Sequence, residues 1–124
     1  VTRPWTSDQR GSATPFAVAC LGLLVLLAAA LGVVSAMIHA QRRAQSAADL
    51  GALAAAHALA DGADGCAVGG RIAQANGAVL SSCQVSGPEV RLRVEVAGPR
   101  WLGQTGDLAA EARAGPADGR PGAQ

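Results

Sequence analysis

The residues best suited to covalent or metal chemistry are three thiols and two imidazoles: Cys20, Cys66, Cys83, His39 and His57. A structural zinc site takes four ligands, paired at short spacings such as CxxC or HxxxH. Neither Cys66 nor Cys83 has a CxxC partner, and both histidines lie far from them in the chain. No metal and no cofactor is therefore expected. GxSxG, HExxH and the P-loop pattern are absent. Gly69-Gly70 reads as a weak point in a helix and not as a phosphate loop. The charged residues, ten Arg and nine Asp or Glu for a net charge of +1, form no basic patch of the kind nucleic acid requires. These observations predict a chain that is no enzyme, with no catalytic residues, no small-molecule substrate and no nucleic-acid partner.

The chemistry left to the thiols is with each other. Cys66 and Cys83 are 17 positions apart, flanking what reads as one helix–strand unit. In a small domain outside the cytoplasm such a pair is expected to form a disulfide. Closing a loop of about 15 residues is worth roughly 3 kcal/mol in the chain-entropy model. The alternative is two free buried thiols. Cys20 sits inside an apolar run and reads as a small buried residue.

These residues must be positioned by a short chain. Of 124 residues, all ten basic ones are Arg, Tyr is absent, and 29 are Ala. This Ala, Gly, Arg and Pro bias fits a high-GC bacterial coding sequence. Residues 13–38 contain no charged side chain, with Leu23, Leu24, Val25, Leu26, Leu27, Leu31 and Val33 at their centre. As a helix those 26 residues would span about 39 Å, enough to cross a bilayer core of about 30 Å with some tilt. The remaining chain is too small to bury such a helix as a core. A cleaved signal peptide is the competing expectation, with Val34-Ser35-Ala36 as its cleavage site. Against it, the helical pattern continues unbroken to Asp61-Gly62. Arg3 and Arg10 precede the run, with Asp8 between them, and Arg42 and Arg43 follow it, so charge counting leaves orientation nearly balanced. The expected disulfide tips it. The predicted topology is a single pass through the plasma membrane, with residues 1–12 cytoplasmic, 13–38 spanning, and the rest extracytoplasmic.

Residues 39–60 are rich in Ala and Leu and continue the helix. His39, Arg42, Arg43, Ser46 and Asp49 share one face, and Leu50, Leu53 and His57 another. Small residues recur every fourth position, at Ala28, Gly32, Ala36, Ala40, Ala44 and Ala48 and on to Ala60. Such rows let helix backbones approach closely, so these residues are candidates for lateral helix packing. Two facts oppose this. About half of these positions are Ala or Gly in any case, and a strict i+4 row drifts about 40° per step around a 3.6-residue turn.

Residues 61–115 are expected to form a small head. CAVGGRIAQANG (66–77) reads as a short helix closed by Asn76-Gly77. AVLSSCQV (78–85) reads as a strand with Val79, Ser81, Cys83 and Val85 on one face. EVRLRVEV alternates without a fault: Val90, Leu92, Val94 and Val96 against Glu89, Arg91, Arg93 and Glu95. A last strand is expected at 108–114, with Glu111 and Arg113 outward. Short connections favour an antiparallel meander, with helix covering its apolar face. Trp101 is expected to pack over the sheet edge, and residues 116–124 to be a disordered tail. The fold class is thus α+β: a long apolar helix continuing beyond the membrane, a short helix, and a three-stranded antiparallel sheet.

Arg10-Gly11, Ser12-Ala13-Thr14, the apolar helix and then HAQRRAQSAADLGALAAAHAL resemble the N-terminal region of the TadE/TadG-like proteins of Flp (Tad) pilus assembly. In that family the helix leaves the membrane into a stretch similar to RRxQxAADxxALAAA, which here is Arg42 to Ala56. The resemblance is nearest to short actinobacterial TadE-like proteins, which also share a Cys opening the second helix, an Asn-Gly, and a Cys in the following strand. It implies a pseudopilin-like, membrane-held component of a pilus or related secretion apparatus, with membrane lipid and pilin-like or other secretion subunits as partners. The chain departs from the pilin-like members in one respect. They carry Glu five residues after the prepilin-peptidase Gly. Here that position, counted from Gly11, is Phe16, and no Glu occurs before residue 89. Processing after Gly11 is accordingly expected to be absent or inefficient. Two other readings remain from the sequence: a secreted small disulfide-bonded protein whose signal peptide is removed, and a single-pass membrane regulator.

Overall fold

A 26-residue stretch without charge, followed by an Ala-rich stretch with no proline and Gly51 as its one glycine, gives the backbone no break before Asp61. In the computed structural model, which describes residues 2, 11, 13–100 and 106–117, helix α1 runs unbroken over Ala13–Ala60. It stops where Asp61-Gly62 follows, with Gly62 at φ +78°, a left-handed conformation that favours glycine. Helix α2 covers Gly65–Ala75. Asp64 caps its N-terminus by accepting a hydrogen bond from the Ala67 backbone N–H at 3.1 Å. Asn76 and the left-handed Gly77 end it, as the Asn-Gly signal predicts. Three strands follow: β1 (Val79–Ser86), β2 (Glu89–Val96) and β3 (Leu108–Ala114). They pair antiparallel in the order β1-β2-β3, the expected meander.

The chain divides into two compact units, Val1–Ser35 and Ala36–Gln124. In the first, the apolar side chains of α1 find no cover among the described residues. Phe16, Val18, Leu21, Leu23, Leu24, Val25, Leu26 and Leu31 are all exposed. This part of α1 is long and apolar enough to cross a membrane. Cys20, read from the sequence as buried, is exposed too, because none of the described residues packs against it.

In the second unit, the alternation in β2 is realised residue by residue. Val90, Leu92, Val94 and Val96 are buried, while Arg91, Arg93 and Glu95 face out. Their cover comes from both helices. Ala44, Ala47, Ala48, Gly51, Ala52 and Ala55 form the buried stripe of α1, spaced i, i+3, i+4, i+7, i+8, i+11. Ala44, Ala47 and Ala48 share one core cluster with Ala73, Ala78, Val94, Val96 and Ala110. Ala52 and Ala55 share another with Val90 and Leu92. The end of α1 at Ala44 thus lies by the Val96 end of β2, and the end at Ala55 by Val90, so the two elements run in opposite directions.

One strand face differs from expectation. The inward residues of β1 are Leu80 and Cys83, and Val79 is 70% exposed. A β-bulge shifts the register between Leu80 and Ser82: Leu80 pairs with Val94, Ser82 with Arg93 and Cys83 with Leu92. The extra residue, Ser81, donates its hydroxyl to the Arg93 carbonyl at 3.1 Å. Before the bulge the inward set is therefore Leu80 rather than Val79 and Ser81. After it, Cys83 keeps the predicted face.

Candidate functional site

The stripe that seats the head on α1 lies inside the motif stretch Arg42 to Ala56. What the sheet needs from a covering helix is proximity, and small side chains supply it. Glycines mark where the two helices come closest. A Cβ on Gly69 would sit 2.8 Å from Leu92 Cδ1, 3.0 Å from Ala55 Cβ and 3.0 Å from the Gly51 carbonyl oxygen. On Gly51 it would lie 3.1 Å from the Gly69 carbonyl oxygen and 3.1 Å from Leu92 Cδ1. On Gly65 it would meet the Ala55 carbonyl oxygen at 2.7 Å. Going along α2 from Gly65 to Gly69, the neighbour on α1 moves back from Ala55 toward Gly51, so α2 runs antiparallel to α1. Gly69 is a site of backbone contact and not merely a weak point of the helix, whereas Gly70 meets only Leu80 side-chain atoms, at 3.3 and 3.9 Å. Gly51, Gly65 and Gly69 have no signal in the sequence beyond residue size, because what makes them necessary is a crossing visible only in three dimensions.

The residues of the small-residue row fare differently from one another. Ala28 and Gly32 are exposed, with nothing within 4 Å of a Cβ built on Gly32. Ala36 and Ala40 are half-buried. Ala44 and Ala48 are buried against the protein's own α2 and sheet.

Cys66, on the first turn of α2, faces Cys83 on β1. Their Cα atoms are 5.9 Å apart, within the range a disulfide spans, and the two sulfur atoms are placed at bonding distance. The bulge helps bring this about, since it keeps Cys83 on the inner face opposite Leu92.

The outer face of the sheet carries diagonal ion pairs. Arg91 Nε lies 3.3 Å from Glu111 Oε1, and Arg113 pairs with Glu89. All four side chains are about half exposed, so each pair is worth about 0–1 kcal/mol. A cavity of about 550 Å³ lies between the last turns of α1 and the β1–β2 turn, lined by Leu53, His57, Leu59, Pro88, Ala114 and Pro116 among others. His57 is the one imidazole on that wall, and His39 lies five turns earlier on α1. Among the described residues no three His, Cys, Asp or Glu side chains are grouped as a metal site would need. Trp101 and residues 118–124 of the tail lie outside the described residues.

The model of the TadE/G-like Flp pilus-assembly family matches residues 11–58. That match covers α1 almost from end to end, including the stripe that seats the head, and stops before α2. It bears out the resemblance read from residues 10–60. No curated protein and no solved structure matches the chain.

Proposed function

We propose that this chain is a non-enzymatic, membrane-anchored component of a Flp/Tad-type pilus or related secretion apparatus, either a minor pilin-like subunit or an assembly factor. The observation that carries the reading is the family match over residues 11–58, laid on a helix whose first half is apolar on every side. A helix segment with no face covered by the described residues fits lipid as its solvent. The second half of the same helix is the floor of the head, so one element serves as both anchor and scaffold. Its partners are membrane lipid and pilin-like or other secretion subunits, met through Ala28, Gly32, Ala36 and Ala40 and through the outer surface of the head.

The N-terminus lies in the cytoplasm and the head outside it. The disulfide between Cys66 and Cys83 supports this orientation, since such bonds persist in oxidising compartments. The test is extraction of native membranes with carbonate, then crosslinking and purification of the full chain with mass spectrometry of what it retains. Retention in the membrane together with pilin-type or secretion subunits is the expected result. A full-length protein held in membranes with none of these partners would leave the regulator reading instead.

The secreted reading rests on Val34-Ser35-Ala36, a small-residue stretch of the kind at which signal peptides are cleaved. Intact mass decides between them. A mature chain beginning at Met37 would replace the anchored protein by a free head.

A further inference from the structure

Resting on the proposed anchoring, we infer that the end of the head at which α1 enters it is itself a membrane-docking rim, with Arg42 and Arg43 binding the phosphodiester groups of anionic phospholipids and Val79 set against the lipid surface. The axial spacing comes first. The uncharged run ends at Ile38, and the first residue of α1 buried in the head core is Ala44. Six residues of helix rise about 9 Å. The headgroup layer on each side of the hydrocarbon is about 5–7 Å thick. The core of the head therefore begins less than one helical turn beyond the headgroups.

The topology then says which residues meet that layer. Because α2 and β2 both run opposite to α1, the Asn76-Gly77 turn, the start of β1 and the end of β2 gather at the Ala44 end. A Cβ on Gly77 would lie 3.7 Å from Arg43 Cδ, so the arginine stem runs along this turn while the residue as a whole stays exposed. Arg42 is exposed beside it. Val79, two residues beyond the turn, is 70% exposed, the most exposed large apolar side chain of the head among the described residues, and it is the β-bulge that turns it outward. Arginines with an apolar side chain at their level form the pattern of an interfacial surface: guanidinium groups to phosphate, an apolar side chain to the acyl boundary. Glu95, paired across from Val79, and Asp107, just before β3, also lie toward this end and limit the attraction. The opposite end carries Asp61, Asp64 and Glu89, the last paired with Arg113.

The experiment uses the full chain with Cys20→Ser, reconstituted in vesicles, carrying a nitroxide at Val79→Cys or, as reference, at Val85→Cys near the far end of β1. Vesicles contain a lipid-anchored nickel chelator and either phosphatidylcholine alone or a mixture with phosphatidylglycerol. Stronger relaxation at position 79 than at 85, enhanced by phosphatidylglycerol and reduced by salt, is expected. Each arginine near an anionic surface is worth about fivefold, so Arg42→Gln with Arg43→Gln should lower the docking equilibrium constant about 25-fold. Equal relaxation at the two positions, or no dependence on phosphatidylglycerol or on the arginines, overturns the rim while leaving the anchor intact. Release of the unsubstituted chain by carbonate overturns both. An arginine-dependent response to soluble glycerol phosphate that anionic lipid does not reproduce would assign the site to a soluble anion and overturn the lipid.

Discussion

Replacing Gly69 with alanine sets two opposing effects against each other on one helix. Alanine is favoured over glycine inside a helix by about 0.8–1.0 kcal/mol. At Gly69, however, the new methyl would lie 2.8 Å from Leu92 Cδ1 and 3.0 Å from both the Gly51 carbonyl oxygen and Ala55 Cβ. Two of these three neighbours belong to α1 itself and are a backbone oxygen and a Cβ, neither of which can turn aside without moving the helix. Forcing such an overlap costs about 1–3 kcal/mol. The net effect is a destabilisation of up to about 2 kcal/mol. Gly70→Ala is the control. It gains the same propensity and meets only Leu80, whose Cδ2 at 3.3 Å is the end of a flexible side chain. It should be neutral or stabilising by up to about 1 kcal/mol. The two variants, one residue apart, should therefore differ by about 1–3 kcal/mol, or roughly 5- to 150-fold in the opening equilibrium. Amide hydrogen exchange over Val90–Val96, in the full chain held in mild detergent, reads that equilibrium directly because β2 lies beneath both helices. Equal protection in the two variants would refute the close helix crossing.

Other outcomes follow from single contacts. Alkylation of intact cells with a denaturing quench should label only Cys20 until reductant is added, after which Cys66 and Cys83 are labelled too; labelling of all three without reduction would remove the bond and the orientation it supports. Cys66→Ser with Cys83→Ser should cost roughly 3 kcal/mol, read by exchange over the same strand. Leu92→Ala deletes a fully buried side chain touched by both helices and should cost about 2–5 kcal/mol, unfolding the head while leaving membrane retention unchanged. Intact mass of the membrane protein should show no cleavage after Gly11, since Phe16 stands where pilin-like processing sites carry Glu; a mature N-terminus at Ser12 would contradict this.

What could be read from the sequence was whatever depends on period and punctuation. The alternation of 89–96 placed β2 and its buried face to the residue, Asp61-Gly62 and Asn76-Gly77 ended the two helices, and the only two cysteines outside the apolar run meet across α2 and β1. The features that escaped depend on a neighbour. The bulge at Ser81 reverses the face of Val79 and Leu80, yet nothing in VLSSCQV marks an extra residue; it is set by pairing with β2. The i+4 row of small residues drifts around the helix. The stripe actually buried in the head alternates steps of three and four and takes in Ala47, Gly51 and Ala55, which the row omits. Gly69 and Gly70 are indistinguishable as letters and differ only in what lies opposite them.

The composition of that stripe bears on where the chain comes to rest during export. In the proposed topology residues 44–55 follow directly on a stretch that belongs in lipid, and they emerge before the sheet they will cover has been made. A seam of leucines there would be greasy enough to be drawn in behind residues 13–38, letting the helix slide along its axis and taking up a floating depth. Alanine and glycine present so little apolar surface that water tolerates them bare, and Arg42 and Arg43 oppose any inward slip. The stripe can thus wait, solvated and in register, until β2 arrives to close over it.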